Sequence, residues 1–267
     1  RWDLKASVIE FVMTNKNYIW PDRFDVTVAS TPFMVSIFKH LVAVCLKHKG
    51  VPIGGMATAL PSKDQEVNLM AAKSIEADKT WEAKNGFLRA WVAHIYHMKT
   101  AAMPFKNLHK SGWIPSDDMR KPELYPLNNI NLKPEGIITQ EGTRRNIRTI
   151  IEYLEGWFNG RGAKGIDSLE GLKGKRPALM EDLATARISI GQTCQRVLHN
   201  CVSKDTNKTH DSKLVKNIFS SELKDILKYR PEKSLNYERA VKLGIDWFEN
   251  YLNLDFKPLA YYDRRKY

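Results

Sequence analysis

The 267-residue chain has only three cysteines, too few for a disulfide framework. Cys194 and Cys201 stand seven apart, a spacing that on a helix puts both on one face as small buried residues, so a reducing compartment is expected. No apolar run reaches the roughly 18 residues of a spanning helix, and the longest, Val35–Leu46, is broken by Lys39 and His40. There is no internal repeat, no Walker-type glycine loop, no dinucleotide fingerprint and no paired-cysteine metal signature. Arg1-Trp2-Asp3-Leu4-Lys5 lacks the basic-then-apolar pattern of a signal peptide, and Arg1 in place of Met predicts that the gene product begins upstream.

Composition is that of a globular protein: 43% hydrophobic, 27% charged and 10% aromatic residues. The net charge is +12 and it is spread. Residues 1–100 carry 13 Lys/Arg against 9 Asp/Glu, residues 101–202 carry 15 against 11, and residues 203–267 carry 14 against 10, so each third is +4. A dedicated nucleic-acid arm would concentrate that charge on one element. The spread predicts a generally basic exterior, with RNA, acidic lipid or an anionic substrate as the remaining partner classes.

Local patterning suggests β–α–β order. Asp25–Val28 reads as a short strand, Pro32–His48 as an amphipathic helix ended by Gly50, and Val51–Ala57 as a buried strand with glycines near its end. Asp64–Gly86 gives a second helix and Ala90–His94 another apolar run. That rhythm favours a parallel sheet with outer helices, and at this length a barrel. Five prolines between Pro104 and Pro134 predict a long loop. Thr139 caps a helix whose Ile147, Ile150, Ile151, Leu154, Trp157 and Phe158 form one packed side, while Arg144, Arg145, Arg148, Glu152 and Glu155 fill the other positions until Gly160 stops it. Gly160–Pro177 reads as a mobile surface connection feeding Ala178-Leu179-Met180 and the acidic pair Glu181-Asp182. Beyond Ala184 the pattern is helical, with turns near Thr206 and Pro231.

Two stretches carry a family resemblance. Pro21-Asp22-Arg23, Thr31-Pro32-Phe33, His48-Lys49-Gly50, Ile53-Gly54-Gly55-Met56-Ala57 and Leu60-Pro61-Ser62-Lys63-Asp64 form the first. Thr139-Gln140-Glu141-Gly142, Asn146-Ile147-Arg148 and Leu179-Met180-Glu181-Asp182 with Ala184-Thr185-Ala186 form the second. In type and spacing they resemble the malate synthases of the shorter, non-G type, over nearly the whole chain. The resemblance implies an α/β fold: the later part of a TIM-type (β/α)8 barrel over residues 1–189, then an all-helical C-terminal domain over residues 190–267. It implies condensation of acetyl-CoA with glyoxylate to malate, with Mg²⁺ as cofactor. Asp182 matches the family's base, Asp3 one Mg²⁺ ligand, and the backbone around Trp2 the glyoxylate-holding turn. Met56, Trp91 and Met180 would line the substrate cavity. On propensity alone, an Asp before a helix is an N-terminal cap, and Asp3 a solvated carboxylate.

The chain also departs from the family. The motif Gly-His-Asp-Gly-Thr-Trp-Val-Ala-His-Pro is here Gly86-Phe87-Leu88-Arg89-Ala90-Trp91-Val92-Ala93-His94-Ile95, which removes polar function and adds bulk, expected on the acetyl-CoA side. The later half of a barrel also leaves an open sheet edge, so the first half is expected from the same or another chain. Three readings follow: an acyltransferase with Asp182 as base; a catalytically inactive homologue serving as an accessory subunit of a larger assembly, a mitochondrial ribonucleoprotein complex among the candidates, with Phe87 and Leu88 blocking the acetyl-CoA path; and acyl-CoA chemistry on another aldehyde or ester. The ending Asp263-Arg264-Arg265-Lys266-Tyr267 lacks a peroxisomal address, which leaves a mitochondrial matrix or cytoplasmic expectation.

Overall fold

A computed structural model describes residues 2–24, 30–128, 130–166 and 176–267, with Trp2 described by its backbone alone. The strand expected over Asp25–Val28 lies outside these residues. In chain order the elements are α1 (Trp2–Phe11), α2 (Pro32–Lys47), β1 (Ile53–Ala57), α3 (Gln65–Lys84), β2 (Arg89–Val92), α4 (Met98–Lys110), α5 (Gln140–Phe158), β3 (Ala163–Ile166), β4 (Leu179–Asp182), α6 (Leu183–Leu198), α7 (Ser212–Tyr229) and α8 (Ser234–Leu252). The chain forms two compact units. Unit 1 takes in Arg1–Val26, Glu135–Gly171 and Glu181–Tyr267; unit 2 takes in Thr27–Pro134 and Leu172–Met180. The boundary expected at residues 189 and 190 falls inside α6.

Unit 2 has the expected parallel grammar. β1 and β2 pair in parallel with α3 as the crossover, Met56 opposite Trp91 and Ala57 opposite Val92. Asp64 caps α3 by accepting from the Glu66 N–H at 2.9 Å. Ala57, Ala59, Ala71, Ile75 and Ala101 form its small-residue core. The Gly54-Gly55 pair has a steric reason: a Cβ on Gly54 would collide with the Glu82 carboxylate. That carboxylate accepts the Gly55 N–H at 3.2 Å and pairs with buried Lys79 at 2.8 Å, and Lys79 in turn donates to the Gly55 carbonyl at 2.6 Å. Among the described residues the only sheets are two-stranded, β1 with β2 and β3 with β4, and neither closes into a barrel.

The proline-rich loop begins later than expected. α4 runs through Pro104, because Ala101, Pro104 and Leu108 recur on one face and the first two are buried. Pro104 forfeits one hydrogen bond without ending the helix.

Unit 1 is helical. Thr139 caps α5, its Oγ1 accepting the Gly142 N–H at 2.8 Å. The one-sided packing expected of α5 is overturned: Arg148, Glu152 and Glu155 are all buried. Arg148 reaches Glu222 of α7 at 2.5 Å, while Lys164 of β3 meets Glu152 at 2.5 Å and Glu155 at 2.6 Å. These partners lie up to 74 residues away in sequence, so local periodicity misses them. Within the expected surface connection, Ala163–Ile166 is strand; residues 167–175 lie outside the described set. All three cysteines are free, but Cys194 and Cys201 do not share a helix face, because α6 ends at Leu198. No helix among the described residues is long and apolar enough to cross a membrane.

Candidate active-site carboxylate and its surroundings

The acidic pair at the end of β4 splits into two roles. Glu181 is buried, and its Oε1 accepts from Arg23 Nη2 at 3.1 Å. The same Arg23 nitrogen reaches Thr149 Oγ1 on α5 at 3.2 Å, and its guanidinium lies 4.0 Å from the Phe24 ring centroid. Glu181 is thereby tied to α5. Strand alternation sends the next side chain, Asp182, to the opposite face.

Asp182 is the N-cap of α6, with extended backbone. Its Oδ1 accepts the Thr185 N–H at 3.2 Å, and Thr185 Oγ1 accepts the Asp182 N–H at 3.0 Å, completing a capping box. The propensity reading is therefore correct as far as it goes. It leaves Oδ2 without a hydrogen bond among the described residues, on a side chain that stays half-exposed. Nearby on α5, Tyr153 is buried, and its phenol is pushed up first by burial and then by the Asp182 charge, so it stays an O–H donor at neutral pH. Tyr153 carried no motif, and only its electrostatic coupling to Asp182 marks it.

Trp2 and Asp3 belong to the first turn of α1, where Asp3 is exposed and has neither hydrogen bond nor ion pair among the described residues. α1 is held at its other end, where Arg187 pairs with Glu10 at 2.6 Å and the Tyr251 hydroxyl donates to Glu10 at 2.7 Å. A helix start of this kind offers free N–H groups to an anion. Magnesium needs a near-octahedral set of oxygen ligands. Among the described residues no group of three or more His, Cys, Asp or Glu could hold a metal ion, so Asp3 alone does not fit the expected Mg²⁺.

In unit 2 the structure brings three expected residues to one strand end. Met56 and Trp91 are register partners near the carboxyl ends of β1 and β2, and the Met180 N–H donates to the Thr58 carbonyl just past β1 at 2.8 Å. Met56 and Met180 are half-buried and Trp91 is exposed. Phe87 and Leu88 stand apart from these three. They precede β2, at the amino end of the strand rather than the carboxyl end where barrel enzymes carry their chemistry. Phe87 is buried and packs edge-on against Phe38 with centroids 5.5 Å apart.

Comparison with known proteins agrees with the motifs. The model of the malate synthase TIM-barrel domain matches residues 1–119, and that of the malate synthase C-terminal domain matches residues 137–263. Malate synthase A of Escherichia coli (strain K12) is 34% identical over 203 residues, 74% of this chain and 36% of the relative. The malate synthase of Dictyostelium discoideum is 33% identical over 238 residues, 86% of this chain and 42% of the relative. The glyoxysomal malate synthase of Candida tropicalis is 34% identical over 236 residues, 85% and 40%. The chain thus spans about two fifths of the length of the curated relatives it matches. With both domain models matched in order and the Glu181-Asp182 pair at the β4–α6 junction, the chain belongs to the malate synthase family, as part of its TIM-barrel domain followed by its C-terminal helical domain.

Proposed function

We propose that this chain supplies the catalytic base and the C-terminal helical part of an acyltransferase that condenses acetyl-CoA with glyoxylate, giving malate and free CoA. One observation carries the reading: Asp182 ends a strand with Oδ1 engaged in the α6 cap and Oδ2 left open. Oδ2 takes a proton from the acetyl methyl group, the resulting carbanion adds to the aldehyde carbon of glyoxylate, the alkoxide so formed takes up a proton to become the malate hydroxyl while Asp182 returns its proton to solvent, and water then cleaves the thioester to the carboxylate and free CoA. The first-turn N–H groups of α1, around Trp2 and Asp3, offer donors for the glyoxylate carboxylate. Met56, Trp91 and Met180, gathered in unit 2, are assigned to the substrate side by the family resemblance alone. Asp3 would contribute a single carboxylate to Mg²⁺, and the described residues do not complete that shell. The remaining barrel strands would come from the same or another polypeptide.

The test is Asp182→Asn in the full-length protein. Asn is as good an N-cap as Asp, so the fold stays, and turnover drops by about 10² to 10⁴-fold. Unchanged turnover removes Asp182 as base. A second reading, a catalytically silent homologue acting as an accessory subunit, is favoured by Phe87 and Leu88 standing where the family motif has polar His and Asp. It expects no turnover with Asp182 intact, and co-purification with unrelated subunits.

A further inference from the structure

At the amino end of the β1–β2 pair, unit 2 holds a cavity of about 380 Å³. That size lies within the roughly 300–1,000 Å³ of small-molecule sites. Val51, Phe87 and Leu88, the residues leading into the two strands, make one wall. Phe105 and Leu108 of α4 make the second, and Trp113 with Ile114, in the turn beyond α4, the third. The polar residues of the lining are Arg89 and His109; no acidic side chain is among them. Arg89 is exposed and makes no hydrogen bond or ion pair among the described residues. The end of α4 does not occupy it, because the N–H groups of Ser111, Gly112 and Trp113 already cap the carbonyls of Asn107, His109 and Leu108. Val51, Leu88 and Ile114 remain exposed at 47%, 40% and 77%, apolar surface that a ligand would cover. Three of the lining residues, Phe87, Leu88 and Arg89, are also positions at which the chain departs from its family's motif.

We infer that this cavity binds a small amphipathic monocarboxylate, its apolar body between the strand leads and α4 and its carboxylate on Arg89. A neutral hydrophobe would leave the guanidinium unanswered, and a small hydrophilic anion would leave the apolar walls wet. The site lies at the strand end opposite to the one used in the proposed condensation and does not depend on that reading.

The experiment is titration of the intact protein with octanoate, 1-octanol and acetate, followed by calorimetry and by tryptophan fluorescence, with Trp113→Phe assigning the optical change. Octanoate is expected to bind saturably at one site, with octanol and acetate at least tenfold weaker. Arg89→Gln, a change at an exposed and unpaired side chain, should weaken octanoate at least tenfold while leaving octanol and the thermal midpoint unchanged. Ile114→Ser should weaken octanoate and octanol alike. Equal affinity for octanoate and octanol, indifference to Arg89→Gln, or no saturation by octanoate would each overturn the inference.

Discussion

The two units are held together by opposite means. In unit 1 the interior is threaded with paired charges. Arg196, fully buried, donates to Asp22 at 2.6 Å and to Thr143 at 2.7 Å; Asp22 also takes the Thr139 hydroxyl at 2.5 Å; and Thr143 meets His210 Nε2 at 2.7 Å. A second cluster joins Lys164 of β3, Glu152 and Glu155 of α5, Arg230 at the end of α7 and Tyr237 of α8. Unit 2 relies on small apolar residues and the Lys79–Glu82 pair, and it leaves Val51, Ile53, Leu88, Trp91 and Ile95 exposed in and beside its strands. Parallel strands are ordinarily covered on both faces. Unit 1 thus pairs its buried charges within itself, although the Arg23 Nε, Arg148 Nη2 and Arg196 Nε atoms find no hydrogen-bond partner among the described residues, whereas unit 2 presents the apolar strands of a sheet that lacks neighbours among the described residues.

The contrast can be broken most forcefully at Asp22. Asp22→Ala strands the Arg196 charge in the interior and should cost unit 1 about 3–5 kcal/mol in denaturant unfolding; a loss below about 1 kcal/mol would mean that the network adds little. Next come the glycines that make room for the two carboxylates. Gly142→Ala drives a Cβ into the Asp22 carboxylate and Gly54→Ala does the same to Glu82, each costing about 1–3 kcal/mol. Because Asp22 is the collision partner, Gly142→Ala should cost much less in the Asp22→Ala background, and full additivity in that cycle would show that the damage comes from elsewhere.

Smaller still is a pH effect confined to unit 1. Burial, above all, holds the His210 imidazole below its ordinary value of 6.5, with the Arg196 charge adding to the depression. Above pH 6.5 the ring is neutral folded or unfolded and contributes no pH dependence. As pH falls below 6.5 the unfolded chain takes up the proton first, so stability declines until the folded ring also titrates. His210→Gln should flatten that decline in a series of unfolding curves between pH 7 and pH 5. The smallest effect is expected at the exposed strand flank, where Ile95→Lys should change stability by no more than about 0.5 kcal/mol while lowering the uptake of a hydrophobic dye.

The helices α2, α3 and α5, their caps and the parallel β1–β2 pair were legible because each announces itself within a few residues: Asp64 and Thr139 at helix starts, glycines past helix ends, apolar alternation between them. α4 was hidden by the weight given to Pro104. The burial of Arg148, Glu152 and Glu155 was invisible for another reason, since a charge reads as outward-facing until its partner is known, and Glu222, Lys164 and Arg230 are distant in the chain or lie in a segment read as loop. At the candidate site, the Glu-Asp pair was readable as a motif. That one carboxylate would be tied to Arg23 while the other kept an oxygen free depends on strand alternation and the α6 cap together. Tyr153 sits in the apolar register of α5, and no local pattern separates it from ordinary core.

Unit 1 is discontinuous in the chain, and that has a consequence during synthesis. The helix α1 is tied to distant elements, α6 and α8: Glu10 pairs with Arg187, 177 residues later, and with Tyr251, 241 residues later. At roughly 5–20 residues per second on the ribosome, α1 waits about 10–35 s for Arg187 to be made. Throughout that interval Ile9 and Met13, destined for complete burial, lack the cover that Gly191 of α6 gives them, whereas α2, β1, α3, β2 and α4 emerge as neighbours. Within the described residues the elements of unit 2 therefore find their neighbours before α1 does, and α1 is the segment that waits longest for its cover.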